Sequence, residues 1–194
     1  LISNEKQLLG NIEKDEIEYL NTFQLISIKP VVYVCNVDED SAVDGNEFTK
    51  KIDEYAEKNN SEVLLVSAKI ESEISQISDE NEKKEFLESL GLVETGLKRV
   101  IRKGYEILNY INFFTAGEKE LRAWTIVKGS LAPTAAGTIH SDMEKGFIRA
   151  ETISYDDYIE FKGEAGSKEK GKLRLEGKEY VVLDGDVMHF LFNV

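Results

Sequence analysis

The chain has 194 residues, enough to bury a real core in one large domain or two small ones, and its 41% hydrophobic content indicates a globular fold. Its 24 basic residues stand against 37 acidic ones, a formal charge of −13 that argues against a broadly electropositive surface; DNA is not an expected partner, and any RNA must dock on a local patch. The single Cys35 excludes an internal disulfide, and the longest apolar runs, about six residues, fall far short of the ~20 needed to span a bilayer, so a cytoplasmic, soluble protein with no membrane partner is expected.

In chain order, Leu8, Leu9, Ile12, Ile17, Leu20 and Phe23 recur at near-helical spacing and predict two short helical pieces within residues 1–28. Lys29-Pro30 breaks that pattern. The run Val31-Val32-Tyr33-Val34-Cys35 is too short and too β-branched for a helix and predicts a strand buried on both faces, with Cys35 as a small buried hydrophobe. An acidic loop from Asp38 to Asn46 follows. Phe48, Ile52, Tyr55 and Ala56 then mark one face of an amphipathic helix that Asn59-Asn60 ends. Val63-Leu64-Leu65-Val66 is the next strand, and the order strand, helix, strand implies a parallel βαβ unit. Residues 70–90, acid- and lysine-rich with sparse apolar positions, predict short surface helices up to a break at Gly91. The spacing of Val93, Leu97, Val100, Ile101, Tyr105, Leu108 and Ile111 describes a helix of about five turns.

From Asn112 the texture changes to short strand-like runs between glycine turns: 113–115, 123–127, 147–150, 158–161, 180–183 and 188–192. One short helix is predicted near Pro133, where proline suits a first turn. This pattern fits a small α+β domain in which a mixed sheet wraps a helix, with ubiquitin-like β-grasp as the first choice.

The chemistry concentrates at two strand ends. One strand closes on Asn36-Val37-Asp38-Glu39 and the other on Ser67-Ala68-Lys69, and in an open α/β sheet ligands sit beyond the carboxyl ends of the strands. The first tetrapeptide occupies the place where G domains carry Asn-Lys-x-Asp, in which the lysine stem covers the base and the carboxylate accepts the guanine N1–H and N2–H. Here Val37 replaces the lysine and the longer Glu39 the aspartate, so guanine selection is disfavoured and adenine, with no N2 donor to satisfy, loses less. In G domains the backbone amide at the position of Ser67-Ala68-Lys69 faces the base. No G-x-x-x-x-G-K-S/T precedes these strands.

Four near misses have plainer readings. Gly166-Ser167-Lys168-Glu169-Lys170-Gly171-Lys172-Leu173 matches a phosphate loop up to Leu173, which has no hydroxyl for Mg²⁺, and lacks the strand-before, helix-after context; a solvated hairpin loop is expected. The stretch Asp40 to Gly45 hints at a calcium loop, but Ala42 and Lys51 offer no ligand oxygen. Asp184-Gly185-Asp186 reads as a tight turn, and His140 with His189 are too few for zinc. Lys98, Arg99, Arg102 and Lys103 form the one dense basic stripe, either a solvated helix face or a contact for ribosomal RNA phosphate.

The stretches Lys29 to Glu39, Ser67 to Lys69, Arg122 to Gly129, Ala132 to His140, Glu144 to Glu151 and Asp184 to Phe190 resemble the YchF family, Obg-related P-loop NTPases with a C-terminal TGS domain. The resemblance covers about residues 17–194 and implies an organisation: residues 1–28 as the tail of a helical coiled-coil insertion, 29–111 as the C-terminal half of a G domain with a parallel sheet, and 112–194 as a β-grasp TGS domain. It implies an ATPase that accepts ATP over GTP, uses Mg²⁺, associates with ribosomes in the cytoplasm and takes part in translation or stress regulation. Base contacts then carry over to Asn36, Val37, Glu39, Ser67, Ala68 and Lys69. The phosphate loop, switches and Mg²⁺ ligands are expected upstream of Leu1, so this chain by itself is expected to bind nucleotide weakly and hydrolyse none. The alternative is a non-enzymatic TGS interaction module for RNA or protein; a TGS domain of a tRNA synthetase or guanosine-polyphosphate synthetase does not account for the βαβ unit.

Overall fold

The computed structural model describes residues 20, 22–26, 29–117 and 120–193, and most of the two helical pieces expected before Lys29 lies outside the described residues. The chain divides into two compact units, Leu1–Gly104 and Tyr105–Val194. No described helix is long and apolar enough to cross a membrane.

In the first unit, β1 (Val32–Asn36) and β2 (Glu62–Val66) pair in parallel, Val32 opposite Glu62 through Asn36 opposite Val66. The connecting helix α1 (Glu47–Lys58) starts at a capping box: Asn46 Oδ1 accepts from the amides of Phe48 and Thr49, and Thr49 Oγ1 accepts from the Asn46 amide. The expectation of burial on both faces of β1 is corrected, because Val34 is 52% exposed. The cause is that β2 is its one strand neighbour among the described residues, and α1 seats Ala56 firmly while Phe48 and Tyr55 stand exposed. Cys35 is free and half-buried rather than enclosed, and that burial, with Asp53 nearby, pushes its thiol up.

Helices α2 (Ala68–Gln76) and α3 (Glu80–Ser89, capped by Asp79) bury Ile70, Ile74 and Leu87 with Ala42 and Leu92 in one apolar cluster. Helix α4 (Gly96–Ile107) is shorter than the five turns expected. Asn109 takes a left-handed φ of +55°, which turns the chain into the next strand, so Ile111 continues the apolar spacing as a buried sheet residue. Polar bonds hold the start of α4: Glu71 accepts from the amides of Gly96 at 2.6 Å and Leu97 at 3.3 Å, and Arg99 Nη2 donates to the Leu65 carbonyl at 2.7 Å. A Cβ at Gly96 would lie 2.9 Å from Val66 Cγ1, so only glycine permits this approach.

The second unit is a five-stranded mixed sheet of β3 (Tyr110–Ala116), β4 (Leu121–Val127), β5 (Phe147–Ser154), β6 (Arg174–Glu176) and β7 (Asp186–Phe192). The order is β4-β3-β7-β5-β6, with β3 and β7 parallel and the other neighbours antiparallel. Helix α5 (Ala132–Ile139) starts at the proline turn as expected and lays the fully buried Ala132, Ala135 and Ala136 on Phe113, Phe147 and Phe190. Small residues on the helix let it sit close to the aromatic face of the sheet. Short α6 (Ser141–Lys145) follows, its first turn capped by His140 Nδ1.

Three strand or loop expectations are corrected here. Residues 158–160, expected in a strand, lie in α7 (Tyr155–Glu160): Ser154 caps Asp157, and the acids of the first turn favour a helix start over the β-propensity of Tyr158 and Ile159. The stretch expected as a hairpin loop contains α8 (Glu164–Glu169); Ser167 is buried and donates to the Gly163 carbonyl at 2.9 Å, while a Cβ at Gly166 would run into the Phe161 carbonyl oxygen. The glycine and serine of the decoy motif therefore serve packing. Residues 180–183 make only an isolated bridge, Leu131 to Val181, and strand β6 was not anticipated.

The expected turn at Asp184-Gly185 is present, with Gly185 at φ +85°, and both flanking acids are structural. Asp184 accepts from the Asn112 amide at 2.8 Å. Asp186, 2% exposed, accepts from Arg174 Nη2 at 3.2 Å, Tyr180 Oη at 2.7 Å and the Leu183 amide at 2.9 Å, clasping β6 and the preceding loop to β7. Burial, then the bond to Asp186, pushes the Tyr180 hydroxyl up to about 12 from 10.0.

Asp186→Ala is expected to destabilise the second unit by about 1–3 kcal/mol, because it strands three donors, read by urea unfolding through the fluorescence of the single Trp124. Because the folded pKa of Tyr180 lies above its ordinary value, its contribution to stability is complete below pH 10.0 and is lost as pH rises through about 12. The difference between wild-type and Tyr180→Phe melting temperatures should therefore shrink across that window. In the first unit, Glu71→Ala should cost about 1 kcal/mol by removing the acceptor at the start of α4, and Glu71→Gln should cost less.

Candidate functional site

Parallel pairing brings the carboxyl ends of β1 and β2 to the same edge, which is why residues 32 positions apart can meet. Asn36 Oδ1 accepts from the Ala68 amide at 3.0 Å. Ser67, at the start of α2, makes no side-chain cap bond, so Asn36 satisfies a helix-terminal N–H from a different strand. The Val37 amide donates to the Val66 carbonyl at 2.9 Å and carries the ladder one residue past the strand. Val37 is half-buried and packs against the cluster of Ala42, Ile70, Ile74, Leu87 and Leu92.

Two carboxylates of this loop, Asp38 and Glu39, are engaged. Asp38 Oδ1 accepts from the Ser41 amide at 2.9 Å, folding the loop into a turn, and the Ser41 hydroxyl, then this amide, lowers the Asp38 carboxyl pKa from its ordinary value. Glu39 Oε2 pairs with Lys69 Nζ at 3.0 Å across the two strand ends, and this hydrogen bond raises the Lys69 pKa. Both partners are partly solvated, so the pair sets the position of the loop more than its stability. Ser67 is 4% exposed and its hydroxyl has no hydrogen-bond partner among the described residues.

Asn36, Val37, Glu39, Ser67, Ala68 and Lys69 thus form one continuous group. It brings one carboxamide, an ion pair and the backbone of both loops together at the carboxyl ends of the two strands. Among the described residues no group of three or more His, Cys, Asp or Glu side chains could hold a metal ion.

The basic stripe is largely committed to its own fold. Arg99 reaches the Leu65 carbonyl, Arg102 pairs with Glu94, and Lys103 pairs with Glu62 at 2.6 Å, while Lys98 is exposed. Sequence reasoning missed Glu71 as the anchor of α4, since an acid on a helix carries no mark of what lies 25 residues on. It also missed a cleft of about 620 Å³ in the second unit, lined by Trp124, Ile139, Met143, Phe190 and Phe192 with Glu120 at its edge. The available signal was alternation in β4 and β7, which aims Trp124 and Phe190 to one side.

Residues 110–193 match the family described as YchF-GTPase_C, protein of unknown function (DUF933). The chain is 54% identical over 184 residues to the ribosome-binding ATPase YchF of Pasteurella multocida, covering 95% of this chain and 50% of that protein. It is 54% identical over 183 residues to the ribosome-binding ATPase YchF of Bacillus subtilis, covering 93% of this chain and 50% of that protein. The solved YchF GTPase of Schizosaccharomyces pombe superposes with a TM-score of 0.81 at 34% identity, over 96% of this chain and 50% of that one. The chain spans about half the length of the relatives it matches. It belongs to the YchF family and corresponds to the C-terminal region of that family.

Proposed function

We propose that this chain is the base-reading and TGS-bearing part of a YchF-type ATPase that prefers ATP to GTP. The observation that carries the reading is the Asn36 to Ala68 bond, which ties the two loops that would flank a purine. Guanine selection calls for a carboxylate free to accept two ring-edge donors; Asp38 is held by Ser41 and Glu39 by Lys69. Adenine makes no such demand. The backbone of Ser67 to Lys69 and the Asn36 carboxamide would meet its edge, Val37 would support the loop from below, and Glu39 with Lys69 would close the side.

The parallel β1–β2 pair with exposed Val34, Phe48 and Tyr55 supports reading residues 29–111 as part of a larger G-domain sheet. The strand order of the second unit, with its parallel pair in the middle and α5 across one face, supports the β-grasp reading of residues 112–194 as a TGS domain. The relatives named as ribosome-binding ATPases support a cytoplasmic role at the ribosome, in translation or stress regulation, with Mg²⁺ accompanying ATP through ligands elsewhere in the whole protein. Contact with ribosomal RNA through Lys98, Arg99, Arg102 and Lys103 would require their present ion pairs to exchange for phosphate. A second reading, an interaction module that works without nucleotide, draws on the separate core of the second unit.

Calorimetric titration of the full-length protein with ATP and GTP tests the first reading. ATP is expected to bind more tightly, and Asn36→Ala to weaken it by roughly tenfold, the equivalent of one well-placed polar contact. The double variant Val37→Lys, Glu39→Asp restores Asn-Lys-x-Asp and should move the preference toward GTP. Equal wild-type affinity for the two nucleotides, or a preference that the double variant leaves unchanged, would sink the reading.

A further inference from the structure

The two edges of the second unit's sheet are not alike. At one edge, β6 has three residues, Arg174–Glu176, too few to template another chain. At the other, β4 runs for seven residues, Leu121–Val127, without proline, lysine or bulge to blunt it. Its pairing with β3 decides which backbone groups are left over. Just beyond the strand ends, the Lys128 amide donates to the Asn109 carbonyl at 2.7 Å and the Gly117 amide to the Glu120 carbonyl at 2.9 Å. Bonded and non-bonded pairs alternate along an antiparallel ladder, so Arg122, Trp124 and Ile126 turn their backbone groups toward β3. Leu121, Ala123, Thr125 and Val127 turn theirs outward. Among the described residues, only the Val127 carbonyl of this outward set is engaged, by the Ser130 amide and hydroxyl.

We infer that β4 pairs antiparallel with β4 of a second copy of this chain, about a twofold axis at Trp124. In that register the strand complements itself. Leu121, 78% exposed, stands opposite Val127, 51% exposed, and the outward N–H and C=O of Ala123 and Thr125 answer each other. One step further out, Glu120 stands opposite Lys128 on both sides of the axis, so the charges that flank the strand attract. Arg122, whose guanidinium lies 4.2 Å over the Trp124 ring, flanks the axis and faces Ile126 of the other copy. The two sheets join into one, and the open edge disappears.

Sedimentation velocity on the whole chain across a concentration series tests this. The wild type should form a reversible dimer. Ala123→Pro removes an N–H that β3 does not use, and it should weaken the dimer by at least roughly tenfold while leaving the circular dichroism of the fold intact. Glu120→Lys and Lys128→Glu should each weaken self-association, because like charges then meet, and mixing the two variants should recover the dimer. A monomer at every concentration, or a dimer that Ala123→Pro leaves unchanged, overturns the inference. Should Ala123→Pro fail to fold, the charge variants decide alone, and a mixture no tighter than its parts overturns it.

Discussion

The hydrogen bond from the Ala68 amide to Asn36 Oδ1 is the constraint on which the candidate site depends. A helix start leaves N–H groups without intrahelical partners, and Ser67 supplies no side-chain acceptor to α2. The cap comes instead from the end of β1, so one side chain ties the end of one parallel strand to the helix that follows the other. Such a bond adds only about 1 kcal/mol of net stability, yet it decides where two loops stand relative to each other. The Glu39–Lys69 pair, exposed and weak in energy, closes the same gap. With the Ser41 amide on Asp38, neither carboxylate of the Asn36–Glu39 turn is free, which is the physical ground for the proposed preference for adenine over guanine.

Around that site the first unit relies on directed polar bonds as much as on apolar packing. Its buried cluster gathers beneath α2 and α3, while α4 is positioned by Glu71 at its first amides, by Arg99 on the Leu65 carbonyl, and by the absence of a side chain at Gly96. The basic stripe of α4 is thereby partly spent on architecture. A charge run that suggests a nucleic-acid contact from its density alone reads differently once its partners are known.

The second unit is organised by a different balance. Three alanines of α5 let the helix lie close on Phe113, Phe147 and Phe190, and Asp186 ties the loop before β7 to the sheet. A buried carboxylate is tolerated there because Arg174, Tyr180 and a backbone amide all donate to it. The contrast between short β6 and long, unblunted β4 is a property of that same sheet.

Much of this was legible in the amino-acid sequence. The β-branched runs at 31–35 and 63–66, the capping residues around α1 and the proline turn of α5 act through neighbours a few residues away, so local reasoning reaches them. That Asn36 and Ser67 to Lys69 lie at one edge follows from the parallel order of β1 and β2, which the strand–helix–strand pattern already implies. Local reasoning failed where signals compete: α7 forms because the Ser154 cap outweighs the strand propensity of Tyr158 and Ile159, and α4 ends early because Asn109 can adopt a left-handed turn inside a continuing apolar period. Residue type alone settles which positions are apolar, which can cap a helix and which can turn the chain. That Glu39 meets Lys69, Glu71 meets Gly96 and Asp186 gathers Arg174 and Tyr180 is a matter of packing, because those meetings depend on distances that exist only once the strands and helices have come together.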